Sequence, residues 1–169
     1  RSMHGFAVDV TDIQEANQLI ARQAMEDSLT GLANRRRLFI ELGELNQACT
    51  PLALFMIDLD LFKKVNDSFG HEAGDHLLQF VASQLRELIG DDGLVARLGG
   101  DEFAIVCPGL TSEAETAALV AKIRSATSEP VALANGQVSI SLSIGVAISA
   151  GLVDGTTLLR HADIAMYEA

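Results

Sequence analysis

Leu94-Val95-Ala96-Arg97-Leu98-Gly99-Gly100-Asp101-Glu102-Phe103-Ala104-Ile105-Val106 is the stretch on which the reading of this 169-residue chain turns. Two short apolar runs flank a Gly-Gly pair. That predicts a β-hairpin whose turn residues, Gly99 and Gly100, take positive φ without steric cost. Two carboxylates, Asp101 and Glu102, follow at once. A hairpin tip has no core to face, so acids there are either a solvated turn or ligands of something that binds.

Upstream, Pro51 opens Leu52-Ala53-Leu54-Phe55-Met56-Ile57, and Asp58-Leu59-Asp60 closes it. Six apolar residues in a row, bounded by Pro and Asp, predict a central strand covered on both faces. Downstream, Val138, Ile140, Leu142, Ile144, Val146 and Ile148 alternate first with serines, predicting one long half-buried strand. Helices fill the intervals. Asn34 is a candidate N-cap for a helix to about Gln47. Leu77, Val81, Leu85 and Leu88 mark the inner face of another, broken by Gly90-Asp91-Asp92-Gly93. A third spans Thr111 to about Ser128 with Ala117, Val120 and Ala121 inward, and a last one runs from Asp154 to the end. The order predicts an α/β (α+β) domain: helices over a sheet that contains antiparallel pairs.

Ahead of these elements, Thr11-Asp12-Ile13-Gln14 fits a capping box. A helix to about Asp27 follows, and its stripe of Ile13, Ala16, Ile20 and Ala24 is narrow. Such a stripe suits a two-helix seam or a helix docked on its own domain. Asp27-Ser28-Leu29-Thr30-Gly31-Leu32-Ala33-Asn34-Arg35 is a compact turn, in which one arginine of the Arg35–Arg37 run is expected to pair with Asp27.

A formal net charge of −11 argues against nucleic acid and against an anionic membrane surface. No apolar run approaches membrane-spanning length and no signal peptide is evident, so a cytoplasmic location is expected. Cys49 and Cys107 sit in no zinc-type spacing and are expected to be two buried thiols.

If strand and hairpin are neighbours, Asp58, Asp101 and Glu102 converge at one sheet edge. Crowded like charges are costly unless a cation neutralises them, and hard carboxylate oxygens suit Mg²⁺ or Mn²⁺ shared with substrate phosphates. Backbone amides of Leu59 to Phe62, turning into a helix, are placed to hold phosphate oxygens, with Lys63 as a point charge beside them. Asp60 is read as a brace for this loop, Lys64 as solvated, and His71 and His76 as structural.

These blocks resemble the GGDEF family of diguanylate cyclases. Gly99-Gly100-Asp101-Glu102-Phe103 carries the family's signature, and the turn from Asp27 to Arg35 is similar to its opening turn. The run from Asp58 to His71 with Gly74-Asp75 resembles its nucleotide-binding segment. Ser143-Ile144-Gly145-Val146 and Ala162-Asp163-Ile164-Ala165-Met166-Tyr167 resemble its closing strand and helix. The resemblance implies a nucleotidyl-cyclase, palm-like fold with a central, mostly antiparallel sheet. It implies that Asp58, the Leu59 carbonyl and Asp101 are metal ligands, and that Glu102 shares the second of two metal ions or helps to deprotonate the attacking 3′-hydroxyl. Lys63 would stabilise phosphate charge. Asn66 and Asp75 would read guanine, because a carboxylate accepts from guanine N1–H and N2–H₂ together. Phe62, Gly99 and Gly100 would join the substrate-binding set. The implied reaction condenses two GTP into cyclic di-GMP and two pyrophosphates across a two-fold homodimer; a non-catalytic GTP-binding regulatory module is the alternative. The start of the chain is similar to the end of a PAS sensor. Residues 1–27 are therefore expected to be a signalling linker from an upstream sensor, and 28–169 the catalytic domain, with room for a further domain downstream.

Two departures stand out. The family's Arg-x-x-Asp product-inhibition site falls on Gly90 and Gly93, so no such site is expected. The chain also stops at Ala169, just before the Lys and Arg that usually help grip the triphosphate; extending it is expected to restore activity.

Overall fold

The computed structural model describes residues 24–133, 136–152 and 154–168. The expected capping box and most of the first helix lie outside them; at its expected end, Ala24 and Met25 form a turn and Glu26 bridges to Ala33. Seven strands follow: β1 (Ala33–Asn34), β2 (Leu52–Leu59), β3 (Leu94–Gly99), β4 (Glu102–Pro108), β5 (Val131–Leu133), β6 (Gly136–Val138) and β7 (Leu142–Ser149). The helices are α1 (Arg35–Gln47), α2 (Phe62–Phe69), α3 (His71–Ile89), α4 (Glu113–Ala126) and α5 (Gly155–Tyr167).

The main sheet has the order β1-β3-β4-β2-β7, with every pair antiparallel except β1 against β3. β5 and β6 form a separate hairpin. The expected α/β fold with a mostly antiparallel sheet is therefore observed. β2 is central, and the reason for its unbroken apolar run is visible in its two faces. Phe55, Ile57 and Leu59 pack with Leu77, Leu78, Val81 and Leu85 of α3 and Ile123 of α4. Leu52, Leu54 and Met56 pack on the opposite face with Leu38 and Leu42 of α1 and Leu158 and Ala162 of α5. Each fully buried side chain of this size contributes about 1.5–3 kcal/mol of transfer free energy, so a polar residue at either parity would be costly.

Caps end and begin the helices as the residue types dictate. Asn34 accepts from the Arg37 amide, Ser112 from that of Glu115, and Asp154 from that of Thr157. Gly70, at φ +86°, breaks α2 from α3.

Four expectations need correction. The hairpin loop is Gly100–Asp101; Gly99 still pairs with Glu102, because a bulge between Arg97 and Gly99 shifts the register by one residue. The predicted strand over 138–148 is two strands, β6 and β7. The chain leaves the ladder at Ser139–Ser141, where the Ser141 carbonyl accepts from the Asp60 amide and β6 turns to pair with β5. In α4 the buried side chains are Thr116 and Ile123, with Val120 half-buried and Ala117 and Ala121 exposed; small alanines carried too little signal to orient the helix. Cys49 is exposed at the end of α1, at φ +52°, whereas Cys107 is buried in β4. Burial pushes the Cys107 thiol up to about 11, with Asp92 adding to the effect, so it stays protonated at neutral pH.

Candidate active site

Parity sets the site. On β2, Asp58 continues the face of Leu54 and Met56; on β4, Glu102 continues the face of Ala104 and Val106. The ladder places Asp58 directly opposite Glu102 on one side and opposite Ser143 of β7 on the other. Two carboxylates directly opposed in an antiparallel pair repel. Asp101, half-buried in the hairpin loop, adds a third charge. The Asp58 carboxyl is pushed up to about 6, first by burial, then by the charges of Asp101, Glu102 and Asp60. The sheet edge thus gathers negative charge beyond what the protein neutralises by itself. Among the described residues, Arg35 of α1 forms an ion pair with this cluster, its Nη2 lying 3.8 Å from Glu102 Oε2 with both side chains well exposed. Such a pair contributes little.

This donor set suits a hard divalent cation: carboxylate oxygens of Asp58, Asp101 and Glu102, and the carbonyl of Leu59 at the strand's end. Among the described residues, no three His, Cys, Asp or Glu side chains are already gathered for a metal. The shell would have to be completed by that carbonyl, by water and by phosphate oxygens, the coordination Mg²⁺ commonly keeps.

Asp60 does brace the loop. Its Oδ1 accepts from Ser143 Oγ at 2.7 Å and its Oδ2 from Ser141 Oγ at 2.6 Å. With both oxygens so engaged, it is held away from the metal role assigned to Asp58. Leu61 then enters α2 in the left-handed region, φ +62° and ψ +19°, and is 64% exposed. A non-glycine residue in that region is strained, and a large apolar side chain left in water compounds the oddity. The turn aims the first amides of α2, those of Phe62 and Lys63, out of the helix end with no intrahelical acceptor. Lys63 itself is exposed.

The expected base-reading pair lies on two helices. Asn66, half-buried in α2, rests on Gly74 of α3, and a Cβ at position 74 would overlap its Oδ1. Gly74 therefore lets α2 and α3 approach and sets Asn66 beside the start of α3, where Asp75 is the next residue, exposed to solvent. His71 and His76 are both exposed.

The structure also brings in residues with no expected role here. A cavity of about 540 Å³ opens beside Asp58, walled by Ser143 and by Asp163, Ile164, Met166 and Tyr167 of α5. Two of the serines that alternate with the apolar positions, Ser141 and Ser143, hold Asp60. The expected partnership of Asp27 with the Arg35–Arg37 run is wrong. Asp27 pairs with Arg97, whose Nη1 lies 3.1 Å from its Oδ1, because β1 runs parallel to β3 and brings the turn alongside Arg97. The 70-residue separation hid that pair from any local reading.

The profile of the family described as "Diguanylate cyclase, GGDEF domain" matches residues 24–169. The diguanylate cyclase TpbB of Pseudomonas aeruginosa is 41% identical over 163 residues, covering 93% of this chain, which spans 38% of that protein's length. A solved GGDEF domain of the same Pseudomonas aeruginosa protein superposes with a TM-score of 0.74 at 41% identity, over 85% of this chain and 87% of that one. The coiled coil and GGDEF domain of DgcB from Caulobacter crescentus, solved in complex with c-di-GMP, gives 0.85 at 29% identity, over 94% and 87%. By its fold, its hairpin and its match over residues 24–169, the chain belongs to the GGDEF family of diguanylate cyclases.

Proposed function

We infer that this domain is a working diguanylate cyclase half-site, which joins two GTP molecules into cyclic di-GMP when two copies meet. The observation that carries the reading is the opposition of Asp58 to Glu102, with Asp101 beside them and a carboxyl raised to about 6. A module that only bound nucleotide would gain nothing from opposing Asp58 to Glu102 with the charge of Asp101 nearby.

Asn66 and Asp75 orient guanine; the Asp75 carboxylate accepts from N1–H and N2–H₂, a donor pair adenine lacks. The amides of Phe62 and Lys63, with the Lys63 ammonium, hold the phosphates and stabilise charge that grows on them. The open glycines Gly99 and Gly100 let substrate approach the hairpin backbone. Bound Mg²⁺ or Mn²⁺, held by Asp58, the Leu59 carbonyl, Asp101 and Glu102, would supply charge neutralisation and activation of the attacking hydroxyl. Glu102 faces the proton leaving the 3′-oxygen. A new bond then forms from that oxygen to the partner substrate's α-phosphorus, and the bond to pyrophosphate breaks. The two substrates sit on two protomers of a homodimer, in a cytoplasmic setting, with residues 1–27 as a linker from a sensor.

Product feedback through the Gly90–Gly93 loop is absent in this reading. Neither glycine has a side chain to bind with, and a Cβ at Gly93 would overlap the Val106 carbonyl, so an aspartate does not fit there without moving β4.

Incubation of the protein with GTP and Mg²⁺ tests the reading. Cyclic di-GMP and pyrophosphate in a 1:2 ratio are expected, and Glu102→Ala should lower the rate at least 100-fold, about 2.7 kcal/mol of barrier. GTP binding without product at high protein concentration would establish the binding module instead.

A further inference from the structure

Arg97 stands in β3 at the bulge that precedes the hairpin loop. Its side chain is 12% exposed, and its guanidinium is divided between two distant places. Nε and Nη2 donate to the Gly100 carbonyl at 3.1 and 2.7 Å. Nη1 donates to Asp27 Oδ1 and Oδ2 at 3.1 and 3.2 Å.

Each end of this bridge differs in stiffness. Asp27 sits in a knot: its Oδ1 accepts from the Thr30 amide at 2.9 Å and the Thr30 hydroxyl at 2.7 Å, and its own amide donates to the Leu32 carbonyl at 2.8 Å. Asn34 reaches back from the start of α1 to the carbonyls of Ala24 and Glu26, at 3.1 and 3.3 Å, so hydrogen bonds cross-link residues 24–34. The hairpin tip has no such support. Gly99 and Gly100 lie at φ +138° and +57° with no side chains to stiffen them. Among the described residues, Arg97 alone donates a side-chain hydrogen bond to the backbone of Gly99–Phe103.

We propose that Arg97 is a positioning residue that ties the Gly100–Asp101 turn to the Ala24–Asn34 junction, so that displacement of the chain where it enters the domain moves the catalytic carboxylates. The proposal rests on the cyclase reading of Asp101 and Glu102. Its physical basis is geometric. A planar guanidinium with a fixed fork of donors spans both acceptors at once, whereas an ammonium on a flexible stem cannot. The bonds are at or below 3.2 Å, so a shift of about 1 Å at the junction breaks one side of the bridge.

Amide hydrogen exchange on the full chain tests it, comparing wild type with Asp27→Asn, Arg97→Lys and the double variant. At least tenfold faster exchange is expected at residues 98–104 in both single variants, with β2 and β7 unchanged and no added effect in the double variant. The rate of cyclic di-GMP formation should fall about tenfold at saturating GTP, a loss that added GTP does not recover. Tip exchange in Asp27→Asn equal to wild type overturns the proposal, as do additive effects in the double variant. A loss of protection spread over every strand also overturns it, by showing a purely structural role; Asp27→Glu, which keeps the charge, repeats the comparison if Asp27→Asn does not fold. Absence of product from wild type would sink the cyclase reading alone, because the exchange comparison needs no turnover.

Discussion

Asp58 and Glu102 face each other across the β2–β4 ladder at a position where a fold selected for stability alone would place an apolar or oppositely charged pair. The consequence is measurable in the metal-free protein. Asp58→Asn removes the charge at the centre of the cluster and should raise stability by about 1 kcal/mol, or about 2–4 °C in Tm for a chain of this length, read by calorimetry in EDTA. The same variant should lose its Mg²⁺-induced stabilisation and its turnover. A lower Tm in EDTA would mean that the carboxylates do not repel as described. Gly74 offers a second test at a single atom. Gly74→Ala places a methyl group on Asn66 Oδ1, the end of a flexible side chain that can swing away at small cost to the fold. GTP affinity should fall about tenfold with Tm within 2 °C, since Asn66 is displaced from the proposed guanine contact. Unchanged affinity would remove Asn66 from the base pocket. Motif residues of this kind were legible because their types are chemically odd where they stand: acids at a turn, an Asp ending an apolar run. Leu61 was not, because its strain lies in φ and ψ, which no residue type announces.

Elements were legible where the pattern was long and where a cap closed it. Asn34, Asp154 and the apolar run of β2 each stand where their chemistry puts them. The alternation over 138–148 misled, since period two persists through the break between the last strand of the β5–β6 hairpin and β7, which belong to different sheets. The close seat of α5 on β7 depends on Gly145, where a Cβ would overlap the Ala162 carbonyl and the Met166 backbone. Gly145→Ala must push the helix off the sheet, as backbone cannot yield the way a side-chain end can. A loss of about 3 kcal/mol is expected in urea denaturation, together with loss of the cavity beside Asp58. A change under 0.5 kcal/mol would show that α5 is free to slide. In the turn before α1, Asp27 shows how several weak contacts settle one group. Burial raises its pKa, but the Thr30 hydroxyl, the Thr30 amide and Arg97 together hold it below the ordinary 3.8. The folded value lies below the unfolded one, so this stabilisation is full above about pH 4 and is lost as pH falls through the lowered value.

At the scale of the whole molecule, the described residues carry one set of amides proposed to hold phosphate and one cluster of acids, while the proposed reaction joins two nucleotides. Specific activity should therefore rise with protein concentration, the rate growing with its square until dimers saturate. A specific activity constant across a 100-fold dilution would place the reaction within a single chain or a permanent dimer. Among the described residues no helix is long and apolar enough to cross a membrane.

By itself the sequence determined the fold class, the central strand, the Asn34 cap and the identity of the acids, because each follows from local chemistry: burial parity, hydrogen-bonding side chains beside helix ends, glycines at positive φ. Only the tertiary structure decided which groups meet. Asp58 opposes Glu102 because the β2–β4 register puts them in line, and Arg97 finds Asp27 because β1 lies parallel to β3. Contacts across 44 or 70 residues depend on register and crossover, which are set by the packing of the whole sheet and leave no periodic trace in the chain.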